Sequence, residues 1–149
     1  MSVFPTTILL ATDGSDEAKR ATEAATELSR ETGSEVHLVY VLPTPAQLTG
    51  HHLYSDEVRE SLIGGAERDA ETFLKEQAER IESDGGKVAE THLRSGDPDK
   101  EILRTAESLD VGVIVIGSRG LGALSRALMG SVSDSVVRHA HCPVLVVRG

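Results

Sequence analysis

The sequence predicts an α/β protein with a doubly wound, five-stranded parallel sheet in the order 3-2-1-4-5 and helices on both faces. The main observation is an alternation of five short apolar segments, rich in β-branched residues, with four longer segments of helical periodicity. The first and fourth short segments are almost wholly apolar, which is typical of strands that are covered on both faces. Strands that alternate with helices favour right-handed crossovers and therefore a parallel sheet.

The five strands are expected where the short apolar segments lie. These are residues 7–12 (TILLAT), 35–42 (EVHLVYVL), 87–94 (KVAETHLR), 111–116 (VGVIVI) and 144–148 (VLVVR). The third segment alternates polar and apolar residues, so we expect it at one edge of the sheet. In the predicted order the fifth strand lies at the other edge.

The four helices are predicted from apolar residues that recur at spacings of three and four. The positions that share a face are Ala18, Ala21, Ala25 and Leu28; Val58, Leu62, Ala66, Ala70 and Phe73; Ile102, Ala106 and Leu109; and Val132, Val136 and Ala140. Glycines follow the first two helices, and Asp97 and Pro98 offer a cap and a first-turn proline for the third. The long irregular segment 43–55 is expected as a mobile loop near the carboxyl ends of the strands.

Composition restricts the class of protein. The chain has 149 residues, of which 39% are hydrophobic, so we expect one domain over residues 1–149. The net charge of −9 argues against nucleic acid or anionic membranes as partners. A single cysteine, Cys142, and the lack of a recognisable signal peptide or apolar span predict a cytoplasmic protein.

A glycine-rich segment, GSRGLGALSRALMGS, follows the fourth predicted strand from residue 117 to residue 131. Ligands of doubly wound sheets bind at the carboxyl ends of strands where the winding direction reverses, here between strands one and four. The amides of Ser131, Val132 and Ser133 begin a helix there, and an amino-terminal helix end favours an anion such as phosphate. Glycines allow the backbone to approach that anion closely.

A structural interpretation of the same segment is also open. In this interpretation Gly117 and Gly120 serve only to turn the chain, and Ser131 serves only to cap the helix. Asp13 favours a ligand, because it ends the first strand across the switch point. Its carboxylate could bind a ribose or a metal on phosphate oxygens, whereas Ser15 or Asp16 could cap the first helix in its place.

The spacing Gly117-x2-Gly120-x9-Gly130-Ser131, with ILLATDGS before it and SVSDSVVRHAHCPVLVVR after it, resembles the ATP-binding branch of the universal stress protein family. The resemblance covers the whole chain. It implies that ATP is bound at the positions of the family motif: Thr12, Asp13, Val41, Gly117, Gly120, Gly130, Ser131 and Ser133. Val132 joins this candidate set through its helix-end amide, and Arg119, inside the loop, either screens phosphate charge or is a solvated loop arginine. It further implies that main-chain groups at Val41 recognise adenine, and that Mg²⁺ or Mn²⁺ is held through the phosphates, near Asp13.

Other phosphate and metal chemistries fit the sequence less well. There is no Walker A motif, no lysine follows residue 100, and the first turn lacks the dinucleotide-binding glycines. A receiver domain would need a late lysine, which is absent. The sequence HAHC at 139–142 is interpreted as structural, with Cys142 as a small buried hydrophobe, and His51 and His52 as exposed or loop contacts.

No set of nucleophile, base and orienting group is recognisable, so the sequence favours a nucleotide-binding regulatory or stress-response protein with at most slow ATP hydrolysis. The alternatives are an adenylyl- or phosphoryl-transferring enzyme of a related α/β fold and a dimeric interaction scaffold. The edge strand VLVVR would leave unpaired main-chain groups beside apolar side chains, so we expect a homodimer through this strand. The family resemblance points to the same arrangement.

Overall fold

The structure is a computed structural model, and it describes residues 3–44, 55–118 and 130–148. Its strands are β1 (Thr7–Ala11), β2 (Glu35–Leu42), β3 (Lys87–Ser95), β4 (Val113–Gly117) and β5 (Val144–Val147). Its helices are α1 (Asp16–Thr32), α2 (Asp56–Ser83), α3 (Pro98–Ser108) and α4 (Ser131–His139). The strands form one parallel sheet in the order β3-β2-β1-β4-β5, which confirms the predicted topology and the edge position of β3.

Two apolar cores lie on the two faces of this sheet. On one face, α1 and α2 cover Ile8, Leu10 and Leu38. On the other face, α3 and α4 cover Leu9 and Ile114. Alternate residues of β1 and β4 therefore enter different cores, which explains why both strands are apolar without interruption.

The predicted apolar stripe of α2 is wrong at its amino-terminal end. Val58 and Leu62 are exposed, whereas Ala70, Leu74 and Ile81 are buried. A helix of 28 residues is about 42 Å long, while the eight residues of β2 span about 26 Å. The first turns of α2 therefore extend beyond the sheet, where the described part of the chain leaves Val58 and Leu62 uncovered.

The fourth strand begins two residues later than predicted and includes Gly117. Val111 and Gly112 instead connect α3 to the sheet, since the Val111 amide donates to Ala106 O and the Gly112 amide donates to Thr7 O. The pairing of β4 with β1 then starts at Val113, opposite Ile8.

The ends of the helices follow the expected chemistry with one exception. The Ser15 hydroxyl accepts from the Ala18 amide and caps α1, and Gly33 ends the same helix with a φ of 75°. Asp97 occupies the capping position of α3, but its side chain makes no capping hydrogen bond there. Its carboxylate instead lies 3.4 Å from the ammonium of Lys100.

None of the helices in the three described stretches combines the length and the apolarity that a membrane span requires.

Candidate functional site

Asp13 leaves the sheet at the carboxyl end of β1. The preceding residue, Thr12, still bonds to β2, because its amide donates to Val39 O at 3.1 Å. Asp13 is exposed, and one of its carboxylate oxygens accepts from the Ser15 amide at 2.9 Å. Since the Ser15 hydroxyl caps α1, the Asp13 side chain is not the helix cap and has a second oxygen for another partner.

The carboxyl end of β4 and the amino end of α4 are joined by hydrogen bonds to one carbonyl group. Ser118 O accepts from the Gly130 amide at 2.6 Å and from the Ser133 hydroxyl at 2.6 Å. The Ser133 side chain is buried, and its hydroxyl also lies 3.0 Å from Gly130 O. A hydroxyl has only one proton to donate, so Ser133 can offer its backbone amide to an anion while the hydroxyl positions α4.

The amino end of α4 is capped by glycine and not by serine. Gly130 is the capping residue, with φ −64° and ψ 158°, and Ser131 is the first helical residue. The interpretation of Ser131 as a simple cap is therefore wrong. The angles of Gly130 are accessible to any residue, so they do not explain a glycine here. A glycine cap leaves the first amides of α4 without a competing side-chain acceptor, at the positive end of the helix dipole.

Gly117 has a packing role that the sequence did not reveal. An ideal Cβ on Gly117 would lie 3.0 Å from the backbone carbon and 3.0 Å from the Cβ of Glu17, in the first turn of α1. Ordinary carbon contacts are about 3.5–4.0 Å. The close approach of α1 to β4 therefore favours a glycine at this position, because any Cβ would have to displace Glu17 by a few tenths of an ångström.

The main chain of Val41 is directed to the side on which β1 has ended. In parallel pairing, alternate residues of a strand bond to the same neighbouring strand. Val39 O accepts from Thr12, whereas Leu42 O accepts from the Gly96 amide beyond β3. Val41 therefore presents its N–H and C=O towards the space beyond Ala11, the last residue of β1.

The described part of the candidate set falls into three groups at one end of the sheet. These are Thr12 and Asp13 after β1; Val41 near the end of β2; and Gly117, Gly130, Ser131, Val132 and Ser133 between β4 and α4. The pairing of β1 with both β2 and β4 makes the three groups neighbours. Arg119 and Gly120 lie outside the described residues, as does most of the predicted loop at 43–55.

The described residues also line a cavity of about 160 Å³ elsewhere, between α2 and the carboxyl ends of β2 and β3. None of the candidate residues that the structure describes lines it. The candidate site is thus defined by convergent main-chain groups and one carboxylate, and not by this cavity.

Contacts outside the candidate site fix α4 against the remainder of the fold. The Ser135 hydroxyl donates to Asp99 of α3 at 2.7 Å, and this bond is the main cause of a lowered pKa for Asp99.

His139 and His141 have separate partners, Ser135 O at 2.9 Å and Asp110 at 3.8 Å. Cys142 is only partly buried, which corrects the expectation of a buried residue, and its desolvation raises its pKa.

Sequence reasoning missed one polar cluster, in which His37 of β2 meets Glu90 and His92 of β3. A β-bulge in β3 decides which face of the sheet these residues share. Hydrophobic alternation alone does not locate a bulge, and three polar residues in strands gave no other signal.

The fold and this end of the sheet define a class of protein: doubly wound α/β proteins with a glycine-capped helix at the switch point. The Universal stress protein family model matches residues 5–148, and the chain belongs to this family.

Similar proteins come from bacteria and archaea. Universal stress protein YxiE of Bacillus subtilis is 34% identical over 145 residues, which cover 95% of this chain and 97% of that protein. Universal stress protein UspA from Lactobacillus plantarum shares the fold, with a TM-score of 0.82, 24% identity and coverage of 97% and 99% of the two chains. A universal stress protein from Archaeoglobus fulgidus in complex with dAMP has a TM-score of 0.65, 25% identity and coverage of 98% and 99%.

Proposed function

We propose that this chain is an ATP-binding universal stress protein of the cytoplasm, with a nucleotide-dependent regulatory role in the stress response. The observation that carries the proposal is the glycine-capped amino end of α4, which lies across the β1–β4 switch point from Asp13. The dAMP complex of the Archaeoglobus fulgidus relative supports an adenine nucleotide as the ligand class.

The phosphates would be bound mainly by backbone amides. Ser131, Val132 and Ser133 supply the first amides of α4, while the glycines of the motif, with Arg119, would follow the phosphate chain. The chain carries a net charge of −9, so amides alone leave the phosphate charge poorly compensated. Mg²⁺ or Mn²⁺ bound through the phosphates would supply positive charge, and the second oxygen of Asp13 suits such an ion or a ribose hydroxyl.

The base would be read by main-chain groups. Val41 presents its N–H and C=O to the space beyond β1, where an adenine edge needs one acceptor and one donor. The Thr12 amide is already bonded to Val39 O, so Thr12 would contribute its carbonyl group. Recognition of this kind depends on the path of the backbone and not on the identity of the side chain.

Calorimetric titration with ATP, ADP and AMP in the presence of Mg²⁺ tests this proposal. Gly130→Val should abolish binding, because a branched side chain would fill the space next to the α4 amides. The angles of Gly130 are compatible with valine, so the variant should remain folded. Gly65→Ala, which lies outside the candidate set and whose new methyl group would have no atom nearer than 4.0 Å, is the control and should bind normally. Failure of the wild-type protein to bind any of the three nucleotides would contradict the proposal.

An adenylyl- or phosphoryl-transferring enzyme is the rival function. No base close to the Asp13 carboxylate has been identified among the described residues, so we expect hydrolysis that is slow or absent. Turnover with saturating ATP and Mg²⁺ separates the two functions, since rates of about 1 s⁻¹ or more are typical of enzymes. Such a rate would favour the rival.

We further propose a homodimer through β5. The Ile114 amide donates to Pro143 O and the Ser118 amide donates to Val147 O, so odd-numbered residues of this strand pair with β4. Val144 and Val146 therefore direct their N–H and C=O groups to the open edge. Antiparallel pairing with a second β5 about a two-fold axis would satisfy these groups. If the pocket were empty in the cell, this dimer would act as an interaction scaffold, and nucleotide would not co-purify with it.

A further inference from the structure

Two histidines and a glutamate converge on the face of the sheet that α3 and α4 cover. His37 Nδ1 lies 3.0 Å from His92 Nε2, and the two rings are stacked with their centroids 5.2 Å apart. Glu90 Oε2 lies 3.9 Å from the same His92 nitrogen. The three atoms are all within 4.8 Å of one another, so a single ion could contact all of them.

A β-bulge creates this cluster. Val36 pairs with Val88, but the next residue, His37, pairs with Glu90, so Ala89 is an extra residue in β3. Without the bulge His37 would lie opposite Ala89, and Glu90 and His92 would face the α1–α2 side of the sheet. The extra residue therefore brings three groups that can bind a metal to one face.

The surroundings of the cluster favour a neutral imidazole and leave one side open. His92 is only 7% exposed, and burial is the main cause of its lowered pKa. Glu90 opposes this shift, whereas His37 and Arg94 reinforce it. Neutral imidazole is the form that binds metal ions. Glu90 is 65% exposed and lies on the solvent side of the cluster, so an ion has a route of entry.

We propose that His37 Nδ1, His92 Nε2 and a carboxylate oxygen of Glu90 bind one divalent first-row transition ion, such as Zn²⁺. Two histidines and one carboxylate suit zinc, and such a set leaves the fourth tetrahedral position for water. With zinc–ligand distances of about 2.0–2.1 Å, neighbouring ligand atoms are about 3.3 Å apart. The separations of 3.0 Å and 3.9 Å lie on either side of this value, and the third pair of ligand atoms is within 4.8 Å.

Without the ion, a hydrogen bond joins the two imidazole rings. Arg94 can only donate, and it lies 3.4 Å from His92 Nδ1, so this nitrogen accepts. The His92 proton is then on Nε2 and is donated to His37 Nδ1. Metal binding at Nε2 shifts this proton to Nδ1 and turns Arg94 away, which the exposure of Arg94 allows.

This site is distinct from the proposed nucleotide site. His37 precedes Val41 by four residues in β2, which is a distance of about 13 Å along the strand. None of its three ligands belongs to the candidate nucleotide-binding set. Zinc binding in the absence of nucleotide is therefore independent of whether ATP binds. The sequence patterns predict no role for His37, Glu90 or His92.

The experiment is a calorimetric titration of the full, nucleotide-free chain with Zn²⁺ after treatment with a chelator, in buffer with excess Mg²⁺ to occupy oxygen-only sites. We expect one equivalent of Zn²⁺, and Co²⁺ should give the visible absorption of a four-coordinate site. His37→Gln and Glu90→Gln should each weaken Zn²⁺ binding by about tenfold or more. Glu90 is exposed, so Glu90→Gln should fold normally, which circular dichroism would verify.

The matched control is His141→Gln, because His141 also lies near a carboxylate, that of Asp110 at 3.8 Å. Its Zn²⁺ affinity should equal that of the wild-type protein. A second control, the double variant His51→Gln with His52→Gln, should also bind normally. Absence of Zn²⁺ binding at about 100 μM would overturn the site. Unchanged affinity in His37→Gln or Glu90→Gln, or a comparable loss in either control, would also overturn it.

Discussion

Replacement of Gly117 by alanine tests the close packing of α1 on β4. The new methyl carbon would lie 3.0 Å from two carbon atoms of Glu17 and 3.2 Å from its carbonyl oxygen. Two of these three atoms belong to the backbone, so rotation of a side chain cannot relieve the contact. The φ of Gly117 is outside the left-handed region, so alanine brings no strain of its own. The predicted effect therefore isolates the contact between α1 and β4.

The magnitude follows from two opposing contributions. Overpacking in a core costs about 1–3 kcal/mol. Replacement of glycine by alanine by itself stabilises the folded protein by about 0.4–1 kcal/mol, because the unfolded chain loses conformational freedom. The midpoints of the two ranges differ by about 1.3 kcal/mol, so we expect Gly117→Ala to lower the free energy of unfolding by about this amount, with a decrease in Tm of about 2–4 °C per kcal/mol.

Urea denaturation followed by circular dichroism measures this difference, with an unchanged m-value as the sign that the unfolded state is the same. Gly65→Ala is the matched control, because the nearest atom to its new Cβ would be Nη2 of Arg68 at 4.0 Å. It should stabilise the protein by about 0.8–1 kcal/mol through helix propensity. A Gly117→Ala protein as stable as the wild type, beside a stabilised Gly65→Ala protein, would refute the packing argument.

Four further predictions concern binding, assembly and pH. Val41→Ala should weaken ATP binding only slightly and Val41→Pro far more, as measured by calorimetry; similar losses would contradict main-chain recognition. Chelation of Mg²⁺ should weaken ATP binding by about tenfold or more, because the chain is acidic, and an unchanged affinity would argue against a phosphate-bound ion. Val146→Pro should give monomers in sedimentation equilibrium, whereas a monomeric wild-type chain would exclude the β5 dimer. Burial, with His37 and Arg94, lowers the pKa of His92 against the opposing effect of Glu90, so the unfolded chain binds a proton more readily than the folded protein. Urea denaturation should therefore show stability falling as the pH decreases from about 6.5 through the folded pKa, and His92→Gln should reduce this dependence.

Local patterns predicted most elements of the fold correctly. The apolar runs of β1 and β4 indicated strands buried on both faces, and the structure places their residues in two cores. Ser15 and Gly33 act at the ends of α1 as their chemistry predicts. Where the local signal was weak, expectations were wrong: the side chain of Asp97 does not cap α3, and β4 starts two residues late.

The sequence by itself determined the order of the elements, the parallel sheet and the end of the sheet at which Asp13 and Gly117 lie. These properties depend on hydrophobic periodicity and turn residues, which act over a few neighbouring positions. Only the tertiary structure decided that Gly117 makes room for Glu17, that the start of α2 extends beyond the sheet, and that a bulge brings His37, Glu90 and His92 together. Each of these depends on the distance or register between two elements far apart in the chain, and a one-residue change in register moves a side chain to the opposite face.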